Sequence, residues 1–247
     1  MLTAYKNGYK MIEYELKENA IFISDSHANT NKGEFYQFLL VLEQEMPKFS
    51  QIFLLGDMFD LLTNTTYTQI FYKKEIELLN RLSRTYEIYY FEGNHDFNLK
   101  EIFPNITIFP HSFQPVTFKT KINKNVSISH GDIFLNPLTQ KTLLFLRNKT
   151  FLKFMDFLDK KLDFKISKAI LNKQSKKSLY KEFGEFRGYL TKKIKNYSSD
   201  YVIEGHYHQD RTFRFGKQIY INLNSYAVEP KIYSSKFFDG RLILTQI

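Results

Sequence analysis

Five short blocks carry the side chains that could do chemistry: Asp25-Ser26-His27, Gly56-Asp57-Met58-Phe59-Asp60, Gly93-Asn94-His95-Asp96, His130-Gly131-Asp132 and Gly205-His206-Tyr207-His208. Together they hold five of the chain's six histidines. Their oxygen and imidazole donors, in a chain with no Cys, suit Mn²⁺, Fe²⁺ or Zn²⁺ and exclude thiolate sites and disulfides. Singly, each block has an ordinary explanation. Gly-Asp is a common turn dipeptide, Asp60 could cap the next segment, and Asn94 could serve a left-handed turn beside Gly93. His206 and His208, at i and i+2, point the same way from an extended backbone, either as a pair of ligands or as two unrelated surface residues at a turn.

What binds the blocks together is their placement. Each follows a short apolar run, at residues 20–24, 51–55, 88–91, 126–129 and 201–204, and each run reads as a buried strand. Helical spacing of apolar residues marks 34–45 (Phe35, Phe38, Leu39, Leu42) and 67–83 (Ile76, Leu79, Leu82). Further strands are expected at 218–223 and 241–245. Alternating strands and helices argue for an α/β layered fold. In such folds the carboxyl ends of strands converge on the ligand crevice. Five successive convergences of Asp, Asn and His there point to one site.

The 247 residues suffice for one large domain carrying a sub-domain. The start lacks the apolar stretch of a signal peptide, and no run approaches the roughly 20 apolar residues that span a bilayer. Residues 136–200 differ from the rest: they hold 16 Lys and Arg against 6 Asp and Glu, while the remainder holds 19 against 20. The whole +9 excess therefore sits in one basic helical insertion, which points to a polyanionic partner. Within it, Phe151-Leu152-Lys153-Phe154-Met155-Asp156-Phe157-Leu158 is apolar around more than one helical face. Either this helix packs on both sides, or it forms a lid with an apolar groove rimmed by Lys.

The order of the five blocks resembles that of the calcineurin-like metallophosphoesterase superfamily: D-x-H, G-D-x-x-D, G-N-H-D/E, a later His, and G-H-x-H. The resemblance implies a four-layer sandwich, two mixed β-sheets flanked by helices, spanning 1–247 with the insertion at 136–200. It also implies two divalent metal ions, with Mn²⁺ the first choice. Asp25, His27 and His208 would hold one ion, Asn94, His130 and His206 the other, and Asp57 would bridge them. Two such ions clamp a phosphoryl group and generate a hydroxide nucleophile near neutral pH. His95, beside a ligand, is the candidate for protonating the leaving group or for stabilising the phosphoryl oxygens, and Asp96 for orienting it. His111, outside every block, reads as an ordinary loop residue.

Within the superfamily the chain most resembles the UDP-2,3-diacylglucosamine diphosphatase branch of lipid A biosynthesis, which has this size, a helical insertion between the same two blocks, and Phe after G-N-x-D, as in Asp96-Phe97. The resemblance implies a lipidated nucleotide-sugar substrate, release of UMP, and a cytoplasmic protein peripheral to the anionic inner membrane. One departure is His95, where the best-known group of that branch has Arg. Arg187, Lys192 and Lys193 are the nearest guesses at phosphate contacts. Two other readings are a different metallophosphoesterase, such as a nuclease or cyclic-nucleotide phosphodiesterase, and a non-catalytic scaffold. Nucleic acid fits less well, because the Phe cluster is blended with Leu and Met rather than spaced for base stacking.

Overall fold

The computed structural model describes residues 2–6, 9–44 and 49–247. In chain order its first half contains β1 (Leu2–Lys6), β2 (Tyr9–Leu16), β3 (Ile21–Ile23), α1 (Glu34–Gln44), β4 (Gln51–Leu54), β5 (Leu62–Thr63), α2 (Thr66–Phe71), α3 (Lys73–Leu82), β6 (Glu87–Phe91), β7 (Asp96–Phe97), β8 (Thr107–Phe109), β9 (Val116–Thr120) and β10 (Asn125–Ser129). Then follow α4 (Pro137–Leu146), α5 (Lys149–Lys161), α6 (Lys165–Gln174), α7 (Phe186–Lys193), β11 (Tyr201–Glu204), β12 (Arg211–Phe215), β13 (Gln218–Asn222), β14 (Tyr233–Phe238) and β15 (Arg241–Gln246).

The strands form two large mixed sheets, ordered β1-β2-β9-β10-β11-β13-β12 and β15-β14-β3-β4-β6-β8, with a small β5-β7 pair. Strands β3, β4, β6 and β8 run parallel, as do β10, β11 and β13. Alternation sends Phe22, Phe53, Tyr89 and Phe109 inward to meet Phe118, Val126, Ile128 and Ile203 of the other sheet. Phe53 stacks on Phe22 at 4.6 Å and meets Phe118 edge-on at 5.2 Å across the sheets. The opposite faces are covered too. Ile21, Ile23, Ile52 and Leu54 lie beneath α1 and α3, and Val202 and Tyr220 beneath α7. Both faces of these strands are therefore buried, which is why they read as unbroken apolar runs. The result is the four-layer α/β sandwich expected from the sequence.

One expectation changes. The helix expected over 67–83 is broken at Tyr72, whose ring turns in against Phe59 at 4.7 Å and whose hydroxyl donates to the Ala28 carbonyl at 2.8 Å. The helix expected over 34–45 is found from Glu34 to Gln44, and Glu45 lies outside the described residues.

The basic segment divides. Helix α7 belongs to the sandwich, with Phe186 and Leu190 buried against Tyr220 and Val202. Helices α4 to α6 form an arm. Asn136 and Asn148 cap α4 and α5 by accepting from Thr139 N and Phe151 N, both at 3.0 Å. Asp159 is buried and accepts from Ile166 N and Ser167 N, tying α6 to α5. Helix α4 buries no residue, and Leu138, Phe145, Phe154 and Phe157 are exposed. Two-sided packing of α5 is thus not found: Phe154 and Phe157 remain 57% and 56% exposed. The arm rests on the body through polar contacts, among them Asp156 accepting from Thr66 N at 2.7 Å and Oγ1 at 3.0 Å, and through Phe164 against Tyr67. Among the described residues no helix is long and apolar enough to cross a membrane.

Candidate metal centre and cleft

The five blocks meet at the carboxyl ends of β3, β4, β6, β10 and β11. Asp25, His27 and His208 offer donor atoms within 4.8 Å of one another, and so do Asp57, His130 and His206. Asp25 Oδ1 lies 3.0 Å from His208 Nε2, and Asp57 Oδ2 lies 3.5 Å from His130 Nε2. Ligands about 2.0–2.2 Å from a shared ion are themselves about 3–3.5 Å apart, so these spacings fit metal binding. A second observation agrees. Asp25 Oδ1, Asn94 Oδ1 and His130 Nε2 are buried with no hydrogen-bond partner. Buried polar atoms are normally satisfied, and three candidate ligands left bare at one place fit cations.

The backbone turns sharply to bring them there. Asp25, His27, Asp57, His206 and His208 all have positive φ, between 42° and 65°. Left-handed backbone is uncommon outside glycine and gathers at functional sites. The extended geometry expected for His206 and His208 is therefore corrected. Tyr207 N donates back to the Gly205 carbonyl at 2.7 Å, and this tight turn sends the two imidazoles to different clusters. Gly205 itself must be glycine, because a Cβ there would lie 1.8 Å from Ser24 Oγ and 2.5 Å from Asp25 Oδ2. At Gly93 a Cβ would meet Asp57 Oδ1 at 2.2 Å.

Carbonyl groups fix the ring orientations. His130 Nδ1 donates to the Leu55 carbonyl at 2.7 Å, His208 Nδ1 to the Leu179 carbonyl at 2.6 Å, and His95 Nδ1 to the Asp60 carbonyl at 2.8 Å. Since a carbonyl only accepts, each bond places the proton on Nδ1 and leaves Nε2 free to act. Asp60 also sets its carboxylate 3.3 Å from His27 Nδ1 and accepts from Asn29 at 2.6 Å. Behind β11, the buried Glu204 accepts from Lys193 at 2.7 Å, Tyr220 at 2.6 Å, Ser129 at 2.9 Å and Tyr197. Lys193 also donates to the Gly131 carbonyl at 2.8 Å and to the Tyr207 hydroxyl at 2.9 Å, so this network braces the backbone beside His130, His206 and His208.

The electrostatics follow from burial and close charges. Burial raises the Asp25 carboxyl, but His208 and His130 outweigh it and bring it down to about 2. Asp57 is also desolvated, and His130 and His95 hold it well below the usual carboxylate range. Burial and then His130 push His206 down to about 4, which leaves it neutral with a lone pair to give.

Several expectations need correction. Asp96 does not orient His95. It accepts from Asp57 N at 2.9 Å, Met58 N at 2.6 Å, Gly93 N at 3.0 Å and Tyr90 Oη at 2.5 Å, and so shapes the loop beneath Asp57. Burial and the neighbouring Asp57 raise it to about 7. His95 takes its orientation from the Asp60 carbonyl and from its own N–H, which donates to Asp57 Oδ1 at 2.8 Å. Lys193 is buried on Glu204, and Arg187 stacks over Phe213 and Phe215, and neither lines the cleft. Lys192 is exposed on α7 and does not line the cleft. His111, expected as an ordinary loop residue, opens a short 3-10 turn and is buried, with Nε2 3.4 Å from the Asp132 carbonyl.

Above the donors opens a cleft of about 560 Å³, a size that holds a small molecule. His27, Asp57, Asn94, His95, His206 and His208 form its floor, and residues 177–184 form a wall that sequence reasoning missed. This strap is pinned by the Leu179 carbonyl on His208 and by Gln209, which donates to the Lys181 carbonyl at 3.0 Å and accepts from Phe183 N at 3.0 Å. Lys177 and Lys181 line the cleft without an ion-pair partner among the described residues.

The chain resembles known proteins in sequence and shape. UDP-2,3-diacylglucosamine hydrolase of Coxiella burnetii (strain RSA 493 / Nine Mile phase I) is 32% identical over 115 residues, 46% of this chain and 47% of that protein. The protein of that name from Shewanella piezotolerans is 25% identical over 116 residues, 45% and 47% of the two chains. The chain thus spans about half the length of the curated relatives it matches. A solved archaeal phosphodiesterase aligns over 93% of this chain and 99% of its own, at 12% identity and a TM-score of 0.46. The family model described as calcineurin-like phosphoesterase matches residues 19–210, from just before β3 to just past the last histidine of the donor set. Since that match takes in most of the chain and all five blocks, the chain belongs to the calcineurin-like phosphoesterase family.

Proposed function

We propose that the chain is a dinuclear-metal phosphoester hydrolase that cleaves the diphosphate of UDP-2,3-diacylglucosamine, giving UMP and 2,3-diacylglucosamine 1-phosphate. The observation that carries the hydrolase reading is the meeting of two buried donor clusters on the floor of one cleft. Asp25, His27 and His208 would hold one ion, Asn94, His130 and His206 the other, with Asp57 between them. When bound, two such ions supply Lewis acidity and a hydroxide nucleophile near neutral pH, and Mn²⁺ suits the donor set.

The chain's own residues do the rest. His95, held by its ring and its backbone N–H, lines the cleft, and in its imidazolium form Nε2 carries a second proton that can pass to the leaving phosphate oxygen. Lys177 and Lys181 bring positive charge to the opposite wall, which suits a substrate with a second phosphate. The diacyl part is supported by the relatives' names and by the exposed apolar surface of the arm, where Leu144, Phe145, Phe154 and Phe157 stand beside many Lys. The same combination suits the anionic surface of a membrane.

The test is direct. The Mn²⁺ form is incubated with UDP-2,3-diacylglucosamine and, separately, with UDP-N-acetylglucosamine, and UMP is measured. Release from the diacylated substrate alone is expected. Equal cleavage of both would remove the lipid from the proposal and keep the hydrolase, and no UMP from either would remove the diphosphatase.

A further inference from the structure

Arg147 follows the last turn of α4, the most exposed helix of the arm, yet its side chain enters the body and is only 9% exposed. Its Nη2 donates to two acceptors at once, Asp132 Oδ2 at 2.7 Å and the Gly93 carbonyl at 3.0 Å. Its own carbonyl accepts from Asn98 Nδ2 at 2.8 Å, and the guanidinium lies 5.7 Å over the ring of Phe97. Neither acceptor belongs to the donor set, but each adjoins one member. The Gly93 carbonyl is in the peptide that leads into Asn94, and Asp132 stands two residues after His130. Asn94 and His130 share one ion in the proposed assignment, and no contact of Arg147 reaches Asp25, His27 or His208.

Arg147 Nε and Nη1, and Asp132 Oδ1, are buried without a hydrogen-bond partner. An incompletely satisfied buried guanidinium is a costly anchor for a helix that buries nothing. Holding two loops in register gives that cost a reason. We infer that Arg147 is a positioning residue for the second ion: through Asp132 and the Gly93 carbonyl it sets the separation of His130 and Asn94. The inference rests on the metal-centre reading above. Outer contacts of this kind change metal affinity about 10–100-fold when removed. A residue that only anchored the arm would, when lost, leave both ions bound or weaken both alike.

Arg147→Ala and Arg147→Lys, made in the full chain, are titrated with Mn²⁺ by calorimetry, with bound metal counted after desalting. Wild type should bind two ions. Arg147→Ala should keep the first at unchanged affinity and bind the second about 10–100-fold more weakly. Arg147→Lys should fall between, since it keeps the charge without the planar fork. The ion left in Arg147→Ala should disappear when His208→Ala is added. Thermal unfolding checks the fold, and if Arg147→Ala does not fold, Asp132→Asn should show the same selective loss. Two ions in wild type with unchanged or equally weakened binding in the variants would overturn the inference alone. A wild type that takes up no metal would overturn the metal-centre reading, and this inference with it.

Discussion

His206 and His208 stand one residue apart and serve different clusters: His208 Nε2 lies 3.0 Å from Asp25 Oδ1, while the His206 ring meets that of His130 at 5.0 Å. The Gly205–His208 turn therefore couples the two halves of the site, and its sharpness sets their spacing. The Asp25 carboxylate also accepts from His206 N at 2.9 Å, so one half of the centre helps to place the other. His206→Ala and His208→Ala should each bind one ion fewer than wild type, and the double variant none. Metal counting after desalting checks this, and loss of both ions from either single variant would mean that the pair acts on one ion.

His95 and Asp57 should separate by what they lose. Asp57→Ala removes a carboxylate of the His130–His206 cluster, the one proposed to lie between the two ions, together with the acceptor for His95 N, so metal content and hydrolysis should fall together. His95→Ala should keep its metal and lose about 10²–10⁴ in rate, the usual share of a positioned acid. Rates on an aryl phosphodiester, measured beside metal content, distinguish the two. Metal loss from His95→Ala would place His95 among the ligands.

Asp96→Ala should act on stability. It leaves the buried Asp57 and Met58 N–H groups and the Tyr90 hydroxyl short of an acceptor, while Gly93 N–H keeps the Asp96 carbonyl at 3.1 Å. At about 1–3 kcal/mol for each orphaned group, partly offset by relaxation, a loss above about 3 kcal/mol is expected in urea denaturation. An Asp96→Ala protein of wild-type stability that had lost its activity would restore Asp96 to the proton chemistry.

Much of the site was legible because its donors are side chains of rare types, each following a strand that is buried on both faces. Carbonyl groups carry no such signal. The Leu179 and Lys181 carbonyls pin the strap to His208 and Gln209, and nothing in 177–184 as a sequence points to that. Asp96 was legible as important and misread in role, since its partners are backbone N–H groups of a distant block. Strand β14 was hidden by Ser234 and Ser235, both buried. Ser235 Oγ accepts from Ala20 N and donates to the Lys17 carbonyl, so a polar residue does the work of a core one. The division of the basic segment was hidden as well, because α7 and the arm have similar composition and differ only in what covers them.

The arm yields the sharpest functional prediction. Phe154 and Phe157 lie on α5 three residues apart, both more than half exposed, on a helix that already makes its contacts to the body through Asp156. Replacing both by Asp removes apolar surface that is more than half exposed, so the fold should hold and hydrolysis of a small aryl phosphodiester should be unchanged. If the arm receives acyl chains, turnover of UDP-2,3-diacylglucosamine should drop at least tenfold, since two half-buried aromatic side chains are worth about 1.5–3 kcal/mol each on full transfer from water. Binding to vesicles containing anionic lipid should weaken with it. Asp156→Ala is the opposite control: it loosens the arm from Thr66 while leaving the apolar surface in place. If the Phe154→Asp, Phe157→Asp protein slowed both substrates equally, the arm would be acting on the metal centre and not on the lipid.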